Sequence, residues 1–180
     1  IVGHPLLEDR SENKIDMSQI IDKNKSIISV FPGSRKSEIE VLTPILLESI
    51  KLMNTKHKDL KYIFHSTKNY NDFIHTFIKS KDLDNCEVIS DDKIKSYILR
   101  KSIFAIAKSG TISLEICNAQ IPSVILYKMG IINFLIVKML VKTKYANIIN
   151  IAAKEEIIPE LLQSNCNANN IFKKVSNFLE

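Results

Sequence analysis

The feature that most constrains this chain is an alternation. Short β-branched and apolar runs are separated, at regular intervals, by segments whose apolar residues recur at helical spacing. Residues 26–31 form such a run and end at Pro32-Gly33, a turn signal. From Ser37 onward Ile39, Leu42, Ile45, Leu46, Ile50 and Met53 follow a helical period. Ser37 with Glu40 has the form of a capping box. The pattern then repeats. Strands are expected at 60–64, 86–89, 102–107 and 122–127, and helices at 69–80, 91–101 and from 109 through Cys117. Three further helices are expected at 129–142, 155–163 and 169–179. Strands alternating with helices imply βαβ units and a parallel sheet. The strands are apolar throughout, as required when helices cover both faces. The fold class expected is therefore α/β, a doubly wound, Rossmann-like parallel sheet with additional C-terminal helices.

A chain of 180 residues fits one domain. Residues 8–25 are polar and charged and lack a strong period, so 1–25 reads as an entry segment or linker from a missing N-terminal domain; residues 26–180 form the domain itself. The opening Ile1-Val2-Gly3-His4-Pro5 reads like the interior of a longer protein. No apolar run reaches the roughly 18 residues of a membrane span. The net charge of +5 comes from scattered lysines, with only Arg10, Arg35 and Arg100 as arginines. That scatter speaks for solvated helix faces and against a nucleic-acid partner. Cys86, Cys117 and Cys166 are widely spaced and odd in number, so small buried thiols in a reducing compartment are expected, not disulfides or zinc ligands.

In an open α/β sheet, ligands bind beyond the carboxyl ends of the strands. Two loops there stand out. The first is 31–38, Phe-Pro-Gly-Ser-Arg-Lys-Ser-Glu. Gly33 permits close backbone approach, the following helix offers N–H groups and positive dipole, and Arg35 supplies a fork suited to phosphate. The alternative is an ordinary turn with a surface arginine. The second is 108–115, Lys-Ser-Gly-Thr-Ile-Ser-Leu-Glu. It joins hydroxyls at a helix start to Glu115, one turn on, which can accept from ribose hydroxyls. The alternative is a plain Ser/Thr cap with a dipole-complementing Glu. Neither GxGxxG nor a Walker loop is present.

Taken in order, Val2-Gly3-His4-Pro5-Leu6, Pro32-Gly33-Ser34-Arg35 with Glu38-Ile39, Ser109-Gly110-Thr111 with Leu114-Glu115, Tyr127-Lys128, Asn150 and Pro159-Glu160-Leu161-Leu162-Gln163 resemble lipid-A-disaccharide synthase. That is a family of inverting glycosyltransferases with the two-domain GT-B fold. The resemblance runs over essentially the whole chain and covers the family's C-terminal half. It implies transfer of a 2,3-diacylglucosamine unit from its UDP derivative to 2,3-diacylglucosamine 1-phosphate, giving a β-1,6 disaccharide and UDP. By the same resemblance, Gly33, Ser34 and Arg35 hold the pyrophosphate, with Ser109, Gly110 and Thr111 as a second donor set. Glu115 takes the ribose, backbone near Tyr127 the uracil, and Asn150 faces the donor, with Ile149 standing where the family has Pro. No metal or cofactor is implied. No catalytic base is assigned, because in GT-B enzymes it comes from the other domain.

The implied partners are a UDP-sugar donor, a lipid acceptor at the membrane surface, the missing N-terminal domain and a homodimer. The implied location is cytoplasmic, on the inner face of the inner membrane. The apolar stretch 129–137, flanked by Lys128, Lys138, Lys142 and Lys144, is either a membrane-interface helix or a core or dimer-interface helix. Asp82-Leu83-Asp84 reads as a polar turn, His4 as structural, and Glu160 as a helix-dipole residue. Two competing functions remain: a decayed, non-catalytic UDP-binding module, or another GT-B UDP-N-acetylglucosamine transferase or epimerase.

Overall fold

A computed structural model describes residues 24–130 and 144–180. Its centre is a six-stranded sheet. The strands are β1 (Ser26–Phe31), β2 (Leu60–His65), β3 (Cys86–Ile89), β4 (Ser102–Lys108), β5 (Ser123–Tyr127) and β6 (Glu160–Leu162). They lie in the order β3-β2-β1-β4-β5-β6 and every neighbouring pair is parallel. The helices are α1 (Lys36–Lys56), α2 (Asn71–Lys79), α3 (Asp92–Lys101), α4 (Ile112–Asn118), α5 (Ile148–Ala153) and α6 (Ala168–Leu179).

Alternation along β1 explains the two layers. Ile28 and Val30 enter the larger core, with Leu42 and Leu46 of α1, Ile74 of α2, and Ile171 and Val175 of α6. Ile27 and Phe31 point the other way, towards Ile98 and Leu99 of α3 and Ile116 of α4. Helices thus cover both faces, and the strands have no polar side to show. α1 runs through Pro44. Pro lacks the N–H that would complete the ladder, and the fully buried row Ile39, Leu42, Leu46, Ile50 and Met53 holds the helix together around it.

The C-terminal region departs from expectation. Residues 155–163 are not a helix: Pro159 leads into β6, which pairs with β5 from Ile125 to Tyr127, and a 3-10 turn follows at Gln163–Asn165. The i, i+1, i+4, i+5 spacing of Ile157, Ile158, Leu161 and Leu162 imitates a helical face. A three-residue edge strand is too short to show its own period. The expected 69–80 helix divides into a 3-10 turn at Lys68–Tyr70 and α2. The capping box at α1 also sits elsewhere. Arg35 is the N-cap, and Glu38, not Glu40, reaches back to the loop. Cys117 is exposed, contrary to the expectation of buried thiols; Cys86 is half-buried and Cys166 buried. Burial pushes the Cys86 thiol up to about 12 and Cys166 to about 11. Residues 131–142 of the expected 129–142 helix, most of the lead-in segment and His4 lie outside the described residues.

Candidate functional site

A 3-2-1-4-5-6 order reverses direction between β1 and β4. There the connections leave for opposite faces and open a crevice at the carboxyl edge. Phe31 pairs with Ala107 at that edge. The two loops singled out above, 32–35 and 109–111, therefore emerge side by side at the switch point. Glu115 lies one turn into α4, and Tyr127 ends β5 on the same edge.

The first loop is organised by Glu38. Its Oε2 accepts from the Ser34 N–H at 3.2 Å and the Arg35 N–H at 3.3 Å, while its Oε1 meets Lys108 Nζ at 2.8 Å. Partial burial raises the Glu38 carboxyl. The Lys108 cation and the two N–H groups outweigh this and hold it below the usual carboxylate value. Gly33 adopts φ +116°, and a Cβ there would meet Glu38 Oε2 at 2.6 Å. So glycine is required twice, by conformation and by space. Arg35 is exposed, and no ion pair among the described residues engages its guanidinium.

The second loop divides by role. Ser109 is buried, its N–H donates to Leu126 O at 2.8 Å and its hydroxyl to Ala146 O at 2.9 Å. Both of its donors are spent inside the protein, which makes it a brace. Gly110 and Thr111 are exposed, and among the described residues nothing lies within 4 Å of a Cβ built on Gly110. Both, with Ser109, Leu114, Ala146 and Ile148, line a depression of about 250 Å3. Glu115 pairs with Lys95 of α3 at 3.2 Å and stays partly exposed.

Asn150, expected to face the donor, is engaged within the protein. It is fully buried, and its amide is saturated: Nδ2 donates to Ile158 O at 2.7 Å and Glu160 Oε1 at 2.6 Å, while Oδ1 accepts from the Ile157 and Ile158 N–H groups at 2.9 Å each. An amide has two donors and two main acceptor sites, so none is left. Glu160 likewise is no helix-dipole residue. Its carboxylate accepts from Ala146 N–H at 2.7 Å and Asn147 N–H at 3.0 Å. Glu160 and Asn150 pin residues 146–150 against β6, and Ala146 in turn holds Ser109. Beyond β5, Lys128 Nζ donates to Cys166 O and the Met129 N–H to Gln163 Oε1.

Several of these residues escaped sequence reasoning. Glu38 and Lys108 lay within the quoted motifs but carried no signal of contact across the sheet. Lys95 sits on an unremarked helix face. His65 of β2 carried no local signal, because Ser29 and Ser102 come beside it only through the sheet order. His65 is buried, stacked on Phe31 at 4.1 Å and bonded through Nε2 to the Ser29 hydroxyl at 2.9 Å. Asp82 and Asp84 lie before β3, at the opposite edge from the crevice, with Asp82 in a left-handed turn. Among the described residues no group of His, Cys, Asp or Glu could hold a metal, and no helix is long and apolar enough to cross a membrane.

Residues 1–180 match the family model described as lipid-A-disaccharide synthetase. The chain is 37% identical to the lipid-A-disaccharide synthase of Rickettsia prowazekii (strain Madrid E), over 99% of this chain and 47% of that protein. It is 35% identical to that of Persephonella marina (strain DSM 14350 / EX-H1), over 99% and 49%. It thus spans about half the length of the curated relatives it matches. Among solved structures, the S. aureus MnaA–UDP co-structure superposes with a TM-score of 0.65 at 14% identity, over 97% of this chain and 41% of that one. The C-terminal domain of a group 1 glycosyl transferase (LpcC) from Francisella tularensis gives 0.61 at 16%, over 94% and 83%. These likenesses show the fold.

Proposed function

The chain belongs to the lipid-A-disaccharide synthetase family, and on that premise we propose that residues 26–180 are the nucleotide-sugar-binding half of a UDP-sugar-dependent, inverting glycosyltransferase. The transfer joins a diacylglucosamine unit from its UDP derivative to a lipid acceptor, 2,3-diacylglucosamine 1-phosphate. The acceptor, a preceding N-terminal portion supplying the base, a homodimer and a place at the inner face of the inner membrane belong to the same proposal. The observation that carries it is the pairing of two loops across the β1/β4 switch point, with an exposed Arg35 that no ion pair among the described residues engages on one and the open Gly110-Thr111 turn on the other.

The pyrophosphate meets the N-terminal end of α1, Gly33, the Ser34 hydroxyl and the Arg35 fork, with Gly110 and Thr111 on its other side. Ser109 braces that turn from behind. Glu115 accepts from the ribose, and backbone at Tyr127-Lys128 meets the uracil. Asn150 serves by holding residues 146–150, not by touching the donor. As the sugar–phosphate bond breaks, charge accumulates on the leaving UDP. Donors already aimed at that charge lower the barrier by roughly 3–4 kcal/mol each.

Calorimetric titration with UDP of wild type and Arg35→Ala tests the reading. UDP is expected to bind wild type and to bind the variant more weakly. A folded wild type that ignores UDP sinks it. A transfer assay with and without an added N-terminal half is expected to show turnover only when both are present.

A further inference from the structure

Glu38 poses a problem for a site that takes a diphosphate. Its carboxylate lies inside the first loop with its side chain only 13% exposed. It cannot withdraw, because it holds the Ser34 and Arg35 N–H groups and fills the space over Gly33. A fixed negative charge beside a ligand of like charge costs affinity, more so where solvent is partly excluded. Lys108, from the end of the neighbouring strand β4, is the one cation among the described residues that forms an ion pair with it. Arg35, on the same loop, makes no such pair and keeps its charge for the ligand.

We propose that Lys108 is a charge-balancing positioning residue of the donor site: it neutralises Glu38, so that the loop Glu38 shapes presents net positive charge to a nucleoside diphosphate. This rests on the UDP-binding reading above. With Lys36 set aside against its ion-pair partner Glu40, Glu38, Lys108 and Arg35 sum to one positive charge. Without Lys108 they sum to zero and leave a bare carboxylate. Without the Glu38 charge they sum to two positive charges. A merely structural bridge predicts something different, since loss of either partner would then loosen the loop and weaken binding alike.

The test compares UDP with uridine, which lacks the phosphates, on the purified chain. Lys108→Met is expected to weaken UDP by about tenfold and to change uridine by less than about twofold. Glu38→Gln keeps an oxygen for the two N–H groups and is expected to tighten UDP by about threefold. The double variant, which removes both charges, is expected to return UDP affinity to within about threefold of wild type. Should Lys108→Met not fold, Glu38→Gln decides alone: weaker UDP binding by folded Glu38→Gln overturns the proposal. So does unaltered UDP binding by folded Lys108→Met, or an equal loss for UDP and uridine. Absence of UDP binding by wild type defeats the donor-site reading itself and this proposal with it, and is distinguishable from the other outcomes.

Discussion

His65 Nε2 lies 2.9 Å from the Ser29 hydroxyl, and the direction of that bond follows from where its chain of hydroxyls ends. Ser29 Oγ meets Ser102 Oγ at 2.8 Å, and Ser102 Oγ meets Ile98 O at 2.9 Å. A carbonyl only accepts, so the Ser102 proton points to Ile98. Ser29 must then donate to Ser102, and His65 must donate to Ser29. Among neutral forms, all three links are satisfied only by the Nε2–H tautomer, with Nδ1 an acceptor that has no partner among the described residues. Nitrogen-detected NMR is expected to show protonation at Nε2; a resonance pattern of the Nδ1–H form would break the argument.

The same histidine predicts an acid sensitivity. Burial, with the Lys95 charge second, pushes its pKa from 6.5 down to about 3. The folded pKa is depressed, so its contribution is fully present above pH 6.5 and is lost as pH falls towards 3, where the unfolded chain binds the extra proton. Over that window the loss is about 1.4 kcal/mol per pH unit. Denaturant unfolding of wild type and His65→Leu between pH 7 and 4 is expected to show a steeper fall for wild type. Parallel curves would count against it.

The two loop glycines should behave oppositely. Gly33→Ala meets positive φ and a clash with Glu38, and is expected to cost about 1–3 kcal/mol of stability. Gly110→Ala meets nothing within 4 Å among the described residues, so its melting temperature should stay near that of wild type while UDP binding falls. Equal stability losses at both positions would contradict the geometry.

Asn150→Ala strips four hydrogen bonds from a buried junction and leaves the Glu160 carboxylate short of a donor. A loss of about 2–4 kcal/mol is expected, with faster hydrogen exchange at residues 146–150. Unchanged stability together with lost UDP affinity would return Asn150 to a ligand-facing role.

Glu115→Ala should weaken UDP, and should weaken an analogue lacking the ribose hydroxyls much less. Removing one charge-assisted hydrogen-bond acceptor corresponds to about tenfold in affinity. Lys95 pairs with Glu115 in the free protein, so Lys95→Ala is a control for loss of the ion pair alone.

These sites differ in how far the sequence reveals them. β1 to β5 are legible because each is a short, mainly apolar and β-branched or aromatic run set between helical patterns, and the two crevice loops because strand, glycine and helix follow one another locally. β6 is not, since Glu160-Leu161-Leu162 becomes a strand only by pairing with β5. Asn150 matched the family motif, yet its role lies in contacts with residues 157–160 that motif matching does not reveal. Glu38 with Lys108, and Ser29 with His65, are cross-strand relations set by sheet order, which no local spacing encodes.

The helix that covers α1 is made after every strand of the sheet. His57, just past α1, bonds Ser176 of α6 across 119 residues, and Lys56 pairs with Glu180 beside it. At about 5–20 residues per second of synthesis, α1 waits roughly 6–24 s for that partner. Throughout that interval the face of α1 that α6 covers lacks its partner, so this contact closes only after the intervening strands have been synthesised.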